Sequence, residues 1–568
     1  MILAKPDVSL ADHLAEVTRL GMALARRLEL SEPLYTKALL ACALHDIGKA
    51  TQEFQDHIQG RPGNYPHALA SFPFVLLLEG QLNRALGLPQ TRYEAAAAVL
   101  THHSPLGSEL YKGYDKPRYH PDLLSLLGEV WHLLQAVGVG NLPPLEPFWK
   151  QLQALLQSAP VALLDTVQCI DEKRATLRGI LQQLPPKDFA CVKAVLHLAD
   201  WLASAKKSDS GTLFLTEGAK AIAQHTERLR GRLRPFQVQA RQAATEVLWL
   251  RAPTGTGKTE ALLLWAGDTE RLLYLLPTQA TTNAMWQRLR RIYGEETVAL
   301  AHGRAAYMLR QETDEDPLDA RLFGSVFAKP VTVATLDQYL LAHLHGRHWE
   351  ERRTLARRAT VILDEIHAYE PYTLGLLIEA LKRERPQRLA LASATLPEAL
   401  LALFPPGHLV EADPAIWERR RHRLHLREGS LLEEGVSAAL EAAQSGQAVL
   451  VVVNTIGDAQ EFYRRLRQVW EDCELLHARF TFRDRQAKES RVSQPRPGLI
   501  FVATQVVEVS LDISYDVLIT ELAPVDALIQ RMGRINRRGR QTARACHHVY
   551  PDHRGHPAGV RERNPLLE

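Results

Sequence analysis

Hydrophobic and polar positions follow two rhythms along the chain, and the change falls near residue 205. Before it, apolar residues recur every three or four positions, as when Leu10, Leu14, Val17, Gly21, Leu24 and Leu28 share one helical face. Short Pro/Gly loops separate such stretches and little reads as strand, so residues 1–205 are expected to form an all-helical domain. Around Lys206-Lys207-Ser208-Asp209-Ser210-Gly211 the composition turns small and polar, which marks 206–230 as a linker. Continuous apolar runs then take over: Val247–Leu250, Leu272–Leu276, Val331–Ala334, Thr360–Leu363 and Leu389–Ala392. A second set comprises Ala448–Val453, Leu499–Ala503 and Val517–Thr520. Apolar strands alternating with amphipathic helices predict parallel sheets covered on both faces, one unit over 231–415 and another over 416–545, with a cleft between them. The run Arg419–Arg423 reads as a solvated connector between the units, and 546–568 as a tail.

Composition adds bounds. A length of 568 residues suits about three or four domains, and a formal charge of +3 argues neither for nor against nucleic acid. No segment reaches the roughly 18 apolar residues of a membrane span, and the N-terminus lacks a secretory run, so a soluble cytoplasmic monomer without membrane contact is expected. Five isolated cysteines lack C-x-x-C spacing and read as reduced structural residues.

Chemistry enters at the ends of two of the strands. Ala252-Pro253-Thr254-Gly255-Thr256-Gly257-Lys258-Thr259 follows the first apolar run and opens a helix. Backbone N–H groups of Thr254, Gly255, Thr256 and Gly257 can close around phosphate oxygens, Lys258 reaches the β/γ-phosphates and Thr259 a Mg²⁺ ion. Asp364-Glu365-Ile366-His367 ends a second run, with Asp364 placed to hold the metal and Glu365 to orient the attacking water. ATP with Mg²⁺ is the expected cofactor.

Further motifs fall in order around this pair. They are Gln237 in Arg234-Pro235-Phe236-Gln237, Pro277-Thr278, Thr335-Leu336-Asp337-Gln338, Ser393-Ala394-Thr395, the segment Ala503 to Asp512, and Gln530-Arg531-Met532-Gly533-Arg534-Ile535-Asn536-Arg537. The series resembles that of superfamily 2 helicases, whose motor is a pair of RecA-like parallel-sheet domains. The resemblance implies that Gln237 reads adenine and that Asp512 lies near the nucleotide. It makes Arg534 and Arg537 arginine fingers, and brings Thr278, Thr335 and Thr504 near the phosphates of a bound strand.

The helical region holds a different set of donors. His13 lies beside Leu10, Leu14 and Val17, while His45-Asp46 are adjacent and so diverge by about 100° on a helix. His67 and His102-His103 follow, and Asp200 continues the stripe of Val192 and Leu196, where burial would be costly without a partner or cation. Five imidazoles and two carboxylates suit two transition-metal ions, with Asp46 as bridge. Their order resembles the HD phosphohydrolase superfamily.

An HD domain ahead of a superfamily 2 helicase, with His45-Asp46-Ile47-Gly48-Lys49 and Leu198-Ala199-Asp200-Trp201, resembles the CRISPR-associated helicase-nucleases of type I systems. That likeness implies a fold of an all-α HD domain followed by two RecA-like domains. It also implies degradation of single-stranded DNA after a crRNA-guided Cascade complex has opened an R-loop, with translocation in the 3′-to-5′ sense. One metal falls to His13, His45, Asp46 and Asp200, and the other to Asp46, His67, His102 and His103. Lys49 is expected at a phosphate. The family is associated with Fe²⁺, or with Mn²⁺, Ni²⁺ or Co²⁺. Members usually continue into an accessory C-terminal domain, which is not expected in a chain that ends soon after Arg537. A competing reading assigns the HD site to nucleotide hydrolysis and the motor to RNA. A third, an inactive binding module, sits poorly with the intact Lys258, Asp364, Glu365, Arg534 and Arg537.

Overall fold

The computed structural model describes residues 2–105, 110–170, 173–207, 209–229, 232–253, 255–305, 309, 317–418, 422–509, 513–536 and 545–551. Helix Leu10–Arg27 starts where Ser9 caps it, the serine side chain accepting from the Asp12 N–H. It buries Leu10, Leu14, Val17, Leu20 and Leu24 and packs against helices Glu32–Leu44 and Pro186–Ser204. Phe72 and Phe74 from helix His67–Ala85 complete the centre of this core. Two small hairpins interrupt the helical pattern, β1 (Leu3–Lys5) with β2 (Val8–Ser9) and β3 (Val167–Ile170) with β4 (Lys173–Thr176), both antiparallel. Strands this short carry no legible alternation, which is why the region read as wholly helical.

The first α/β unit is a parallel sheet of seven strands among the described residues: β5 (Val247–Arg251), β6 (Leu272–Leu276), β7 (Val298–Ala301), β8 (Val331–Thr335), β9 (Thr360–Asp364), β10 (Arg388–Ser393) and β11 (His408–Glu411). Their order is β11-β5-β10-β9-β6-β8-β7. β6, β8 and β9 are buried at every position, as strands covered by helices on both faces must be. The second unit orders β12 (His422–Leu426), β13 (Val449–Val452), β14 (Cys473–Leu476), β15 (Ile500–Ala503), β16 (Val517–Glu521) and β17 (Ala545–Tyr550) as β12-β17-β16-β13-β15-β14, again parallel.

Two segments differ from expectation. The stretch 206–230 contains a 3-10 turn, Ser210–Leu213, and a helix, Gly218–Arg228. Its polar surface hides anchors: Leu213 and Phe214 enter the helical core, and Leu215 and Ile222 the core of the first sheet. At the end of the second unit, residues expected as tail form β17, with His547 fully buried between neighbouring strands. Part of the basic connector is likewise edge strand β12, while Arg419, Arg420 and Arg421 lie outside the described residues. Phe323, Val326, Ala328 and Leu355 of the first α/β unit belong to the core of the helical domain, so hydrophobic packing runs continuously between the two. No helix among the described residues is long and apolar enough to cross a membrane.

Candidate metal centre and nucleotide site

Helix Glu32–Leu44 ends at His45, still in helical conformation, and Asp46 leaves it at φ −107° and ψ 4° for the 3-10 turn Ile47–Ala50. That change of direction aims adjacent side chains into one cavity from two angles. His13 comes from helix Leu10–Arg27, His67 is the first residue of its helix, His102 and His103 follow helix Glu94–Leu100, and Asp200 lies on helix Pro186–Ser204.

Asp46 divides the donors. Its Oδ2 lies 3.2 Å from His13 Nε2 and 3.4 Å from His45 Nε2, while Oδ1 lies 3.3 Å from His67 Nε2 and 3.8 Å from His102 Nε2. Asp200 Oδ1 joins the first group, 3.5 Å from His13 Nε2 and 3.8 Å from His45 Nε2. His103 Nε2 joins the second, 2.8 Å from His67 Nε2. Lys49 Nζ sits 2.6 Å from Asp46 Oδ2. All seven expected metal donors are thus brought together, and Lys49 stands on the carboxylate they share.

Backbone carbonyls orient two of the imidazoles toward the cavity. His45 Nδ1 lies 2.9 Å from the Cys42 carbonyl and His102 Nδ1 2.6 Å from that of Val99, so each Nδ1–H donates outward and Nε2 faces the cavity. His13 Nε2 and His45 Nε2 are buried without a hydrogen-bond partner. Two orphaned nitrogens facing two carboxylates fit divalent ions with affinity for nitrogen and oxygen. Burial lowers His67 to about 4, and His102 falls well below the ordinary range through burial and the adjacent His103, so these two imidazoles are neutral. In the other half burial works against charge on His45, yet Asp46 and Asp200 outweigh it and push the imidazole up to about 10.

In the nucleotide site, Gly255 at φ 74° and Gly257 at φ 95° give the loop a left-handed backbone before helix Lys258–Ala266. Lys258 Nζ lies 2.9 Å from Glu365 Oε1 and 3.8 Å from Asp364 Oδ1, Asp364 being the last residue of β9 and Glu365 the next. Glu365 holds φ 53°, a strained conformation of the kind found at working sites. Burial alone would raise its carboxyl, but Lys258, then His367 and Arg534, hold it below the usual value. Tyr274 OH donates to Asp364 Oδ2 at 2.7 Å, and Arg288 Nη1 donates to Thr259 Oγ1 at 3.1 Å. Gln237 accepts from the Arg234 N–H at 2.9 Å and donates to the Gly257 carbonyl at 3.1 Å, so it lies against the phosphate loop. Thr256 Oγ1 donates to the Pro253 carbonyl at 2.6 Å.

The second unit reaches this site through Gln530, whose Nε2 is 2.7 Å from His367 Nε2, while His367 Nδ1 contacts Ser393 Oγ. Arg534 Nη2 donates to the Glu508 carbonyl at 2.5 Å. Thr254, Asp512 and Arg537 lie outside the described residues. Thr278 caps helix Gln279–Tyr293 beyond β6, its side chain accepting from the Thr281 N–H; Thr335 ends β8 and precedes helix Leu336–His343 without such a bond, and Thr504 succeeds β15. Thr335 and Thr504 are only 5% and 3% exposed. Sequence reasoning missed Tyr274, Arg288 and the pairing of His367 with Gln530; only the last had a signal, since both belong to recognised motifs.

Fold and site together define an HD-type hydrolase domain joined to a DEAD/DEAH-box ATP-dependent motor. Residues 7–208 match the family described as Cas3, HD domain; residues 234–403 match the DEAD/DEAH box helicase family; and residues 445–540 match the C-terminal region of the CRISPR-associated nuclease/helicase Cas3. The chain belongs to the CRISPR-associated nuclease/helicase family. It is 29% identical to the CRISPR-associated endonuclease/helicase Cas3 of Thermus thermophilus, over 94% of this chain and 72% of that one. Its fold is similar to that of T. fusca Cas3-ATP, with a TM-score of 0.62 at 21% identity, covering 98% of this chain and 76% of the other. A chain in a CRISPR RNA-guided surveillance complex, pre-nicking, gives 0.53 at 22% identity, covering 99% and 75%.

Proposed function

We infer that this chain moves along single-stranded DNA by ATP hydrolysis and cuts the strand in its helical domain, degrading target DNA in CRISPR interference after recruitment by a crRNA-guided Cascade complex. The observation that carries the nuclease reading is the division of Asp46, one carboxylate oxygen facing each group of histidines. His13, His45, Asp46 and Asp200 would hold one divalent ion, and Asp46, His67, His102 and His103 the other, with Fe²⁺ foremost and Mn²⁺, Ni²⁺ or Co²⁺ as alternatives. Such ions supply Lewis acidity for attack of water on a phosphodiester. The protein's share is orientation: the Cys42 and Val99 carbonyls hold two imidazole rings, and Lys49, beside the Asp46 carboxylate, would offset phosphate charge.

In the motor, Lys258 and the loop Thr254–Gly257 would bind the ATP phosphates, Thr259 and Asp364 the Mg²⁺, and Glu365 the attacking water. Gln237 and Asp512 would complete the nucleotide pocket, and Arg534 and Arg537 would neutralise charge in the transition state. Thr278 and Thr504 stand just beyond the C-terminal ends of their strands and Thr335 is the last residue of its own, where parallel sheets bind ligands, which supports strand contacts there. The fold shared with a chain of an RNA-guided surveillance complex supports recruitment by Cascade.

The test is Asp46→Ala in the full chain, measured on labelled single-stranded DNA with added Mn²⁺. Cleavage is expected to vanish while DNA-stimulated ATP hydrolysis persists, because Asp46 and Lys258 lie in separate domains. Cleavage at the wild-type rate would refute the bridging role, and degradation of RNA in place of DNA would favour the competing substrate.

A further inference from the structure

The helix that supplies Asp200 carries a second set of polar residues, and these are buried against the motor. Lys193 Nζ lies 2.8 Å from Glu350 Oε1, and one turn later His197 Nδ1 pairs with Glu351 Oε1. Glu350 and Glu351 occupy the first turn of helix Trp349–Arg357, where carboxylates also suit the helix N-terminus. Lys193, His197, Glu350 and Glu351 are all buried. Trp201 lies against His197, ring centroids 5.1 Å apart, and edge-on to His348 at 5.5 Å; Arg357 Nη1 reaches Cys191 Sγ at 3.3 Å. Burial would raise the Glu351 carboxyl, but His197, with His348 Nδ1 3.9 Å away, holds it below its ordinary value.

Buried ion pairs of this kind contribute little net stability compared with apolar packing, and their best-attested use is to fix register. Register matters here because Asp200 lies three residues beyond His197, at the longer distances in its half of the metal centre, 3.5 Å and 3.8 Å from the two imidazoles. A slide or rotation of the helix carries that carboxylate away from His13 and His45, which stand on other helices. We propose that the His197–Glu351 pair is a positioning contact through which the motor unit sets the register of the Asp200 helix, so that one half of the metal centre is complete only when the two domains are seated together. This rests on the two-metal reading above.

The experiment is a Mn²⁺ titration of the full chain followed by electron paramagnetic resonance, without substrate or nucleotide. Wild type is expected to bind two equivalents. In Glu351→Ala one equivalent should be unchanged and the other weakened by roughly 10- to 100-fold, the range seen when groups supporting a metal ligand are removed. Glu351→Gln, which can still accept from the imidazole N–H, should recover most of that loss. Should Glu351→Ala fail to fold, His197→Ala opens the same joint from the other side and is read identically. Two equivalents bound as tightly as in wild type would overturn the inference, as would loss of both together, which signals general distortion. A wild-type chain that binds no Mn²⁺ would instead remove the two-metal reading itself.

Discussion

Gly48→Ala is expected to damage the fold and the metal centre through one collision. Gly48 stands in the 3-10 turn Ile47–Ala50, and its N–H donates to Ser71 Oγ at 2.8 Å. A Cβ there would run into the His67 carbonyl and lie 2.7 Å from both Ala70 Cβ and the Ser71 backbone nitrogen. Backbone atoms cannot swing away, so the turn and helix His67–Ala85 must part by on the order of 1 Å to regain ordinary contact. Overpacking of this kind costs about 1–3 kcal/mol. The Ser71 hydroxyl, which also donates to the His45 carbonyl at 2.7 Å, would lose a bond worth about 1 kcal/mol more. For a domain of roughly 200 residues that total lowers the melting transition by about 4–16 °C. The same shift separates His67 Nε2 from Asp46 Oδ1, now 3.3 Å apart, and should weaken the second metal equivalent. Calorimetry and Mn²⁺ titration read the two effects, with Gly140→Ala as control because no atom lies within 4 Å of its added Cβ. A Gly48→Ala protein that melts with wild type and keeps both equivalents would refute the reasoning.

Three further outcomes are expected. Lys258→Ala should reduce ATP hydrolysis by on the order of 10²- to 10³-fold while cleavage of free single strands in Mn²⁺ persists, and loss of that cleavage would show that the sites are not separable. Gln530→Ala removes the 2.7 Å contact with His367, so DNA stimulation of ATP hydrolysis should fall by the ~1–3 kcal/mol typical of coupling between sites while nucleotide binding holds; unchanged stimulation would exclude that route. Burial, outweighing Lys37, raises Glu79 from 4.5 to about 7, so the folded domain keeps a proton that the unfolded chain has released. Its stability should therefore fall as pH climbs from about 4.5 to about 7 and level off above, a slope absent in Glu79→Gln and disproved by a melting temperature equally pH-dependent in both proteins.

What the sequence made legible follows from where each residue sits in its sheet. Interior strands such as β6 and β9 are apolar at nearly every position because helices cover both faces, and that pattern announces them without ambiguity. The strands that went unannounced include all four edges, β7, β11, β12 and β14. In β11 and β12 the exposed polar residues His408, Glu411 and Arg423 and the half-buried His422 break the run, as edge positions permit. β17 escaped although it is internal, because His547 and His548 are polar by type and only tertiary packing buries the first.

The candidate sites divide on the same ground. The candidate residues of the motor lie in two short motifs that each follow a buried strand, so spacing alone places Lys258 at the start of the helix after β5 and Asp364 at the end of β9. The donors of the helical domain are scattered, yet each is a residue type that burial would penalise, and a histidine or aspartate on an apolar stripe is itself a signal. Glu351 and His197 gave none. In a chain where 23% of residues are charged, a glutamate in a helix reads as solvated surface, and nothing local reveals that its partner lies 154 positions earlier. Buried pairing between distant charges becomes visible only once the domains are packed, and at that joint the helix holding Asp200 meets the motor.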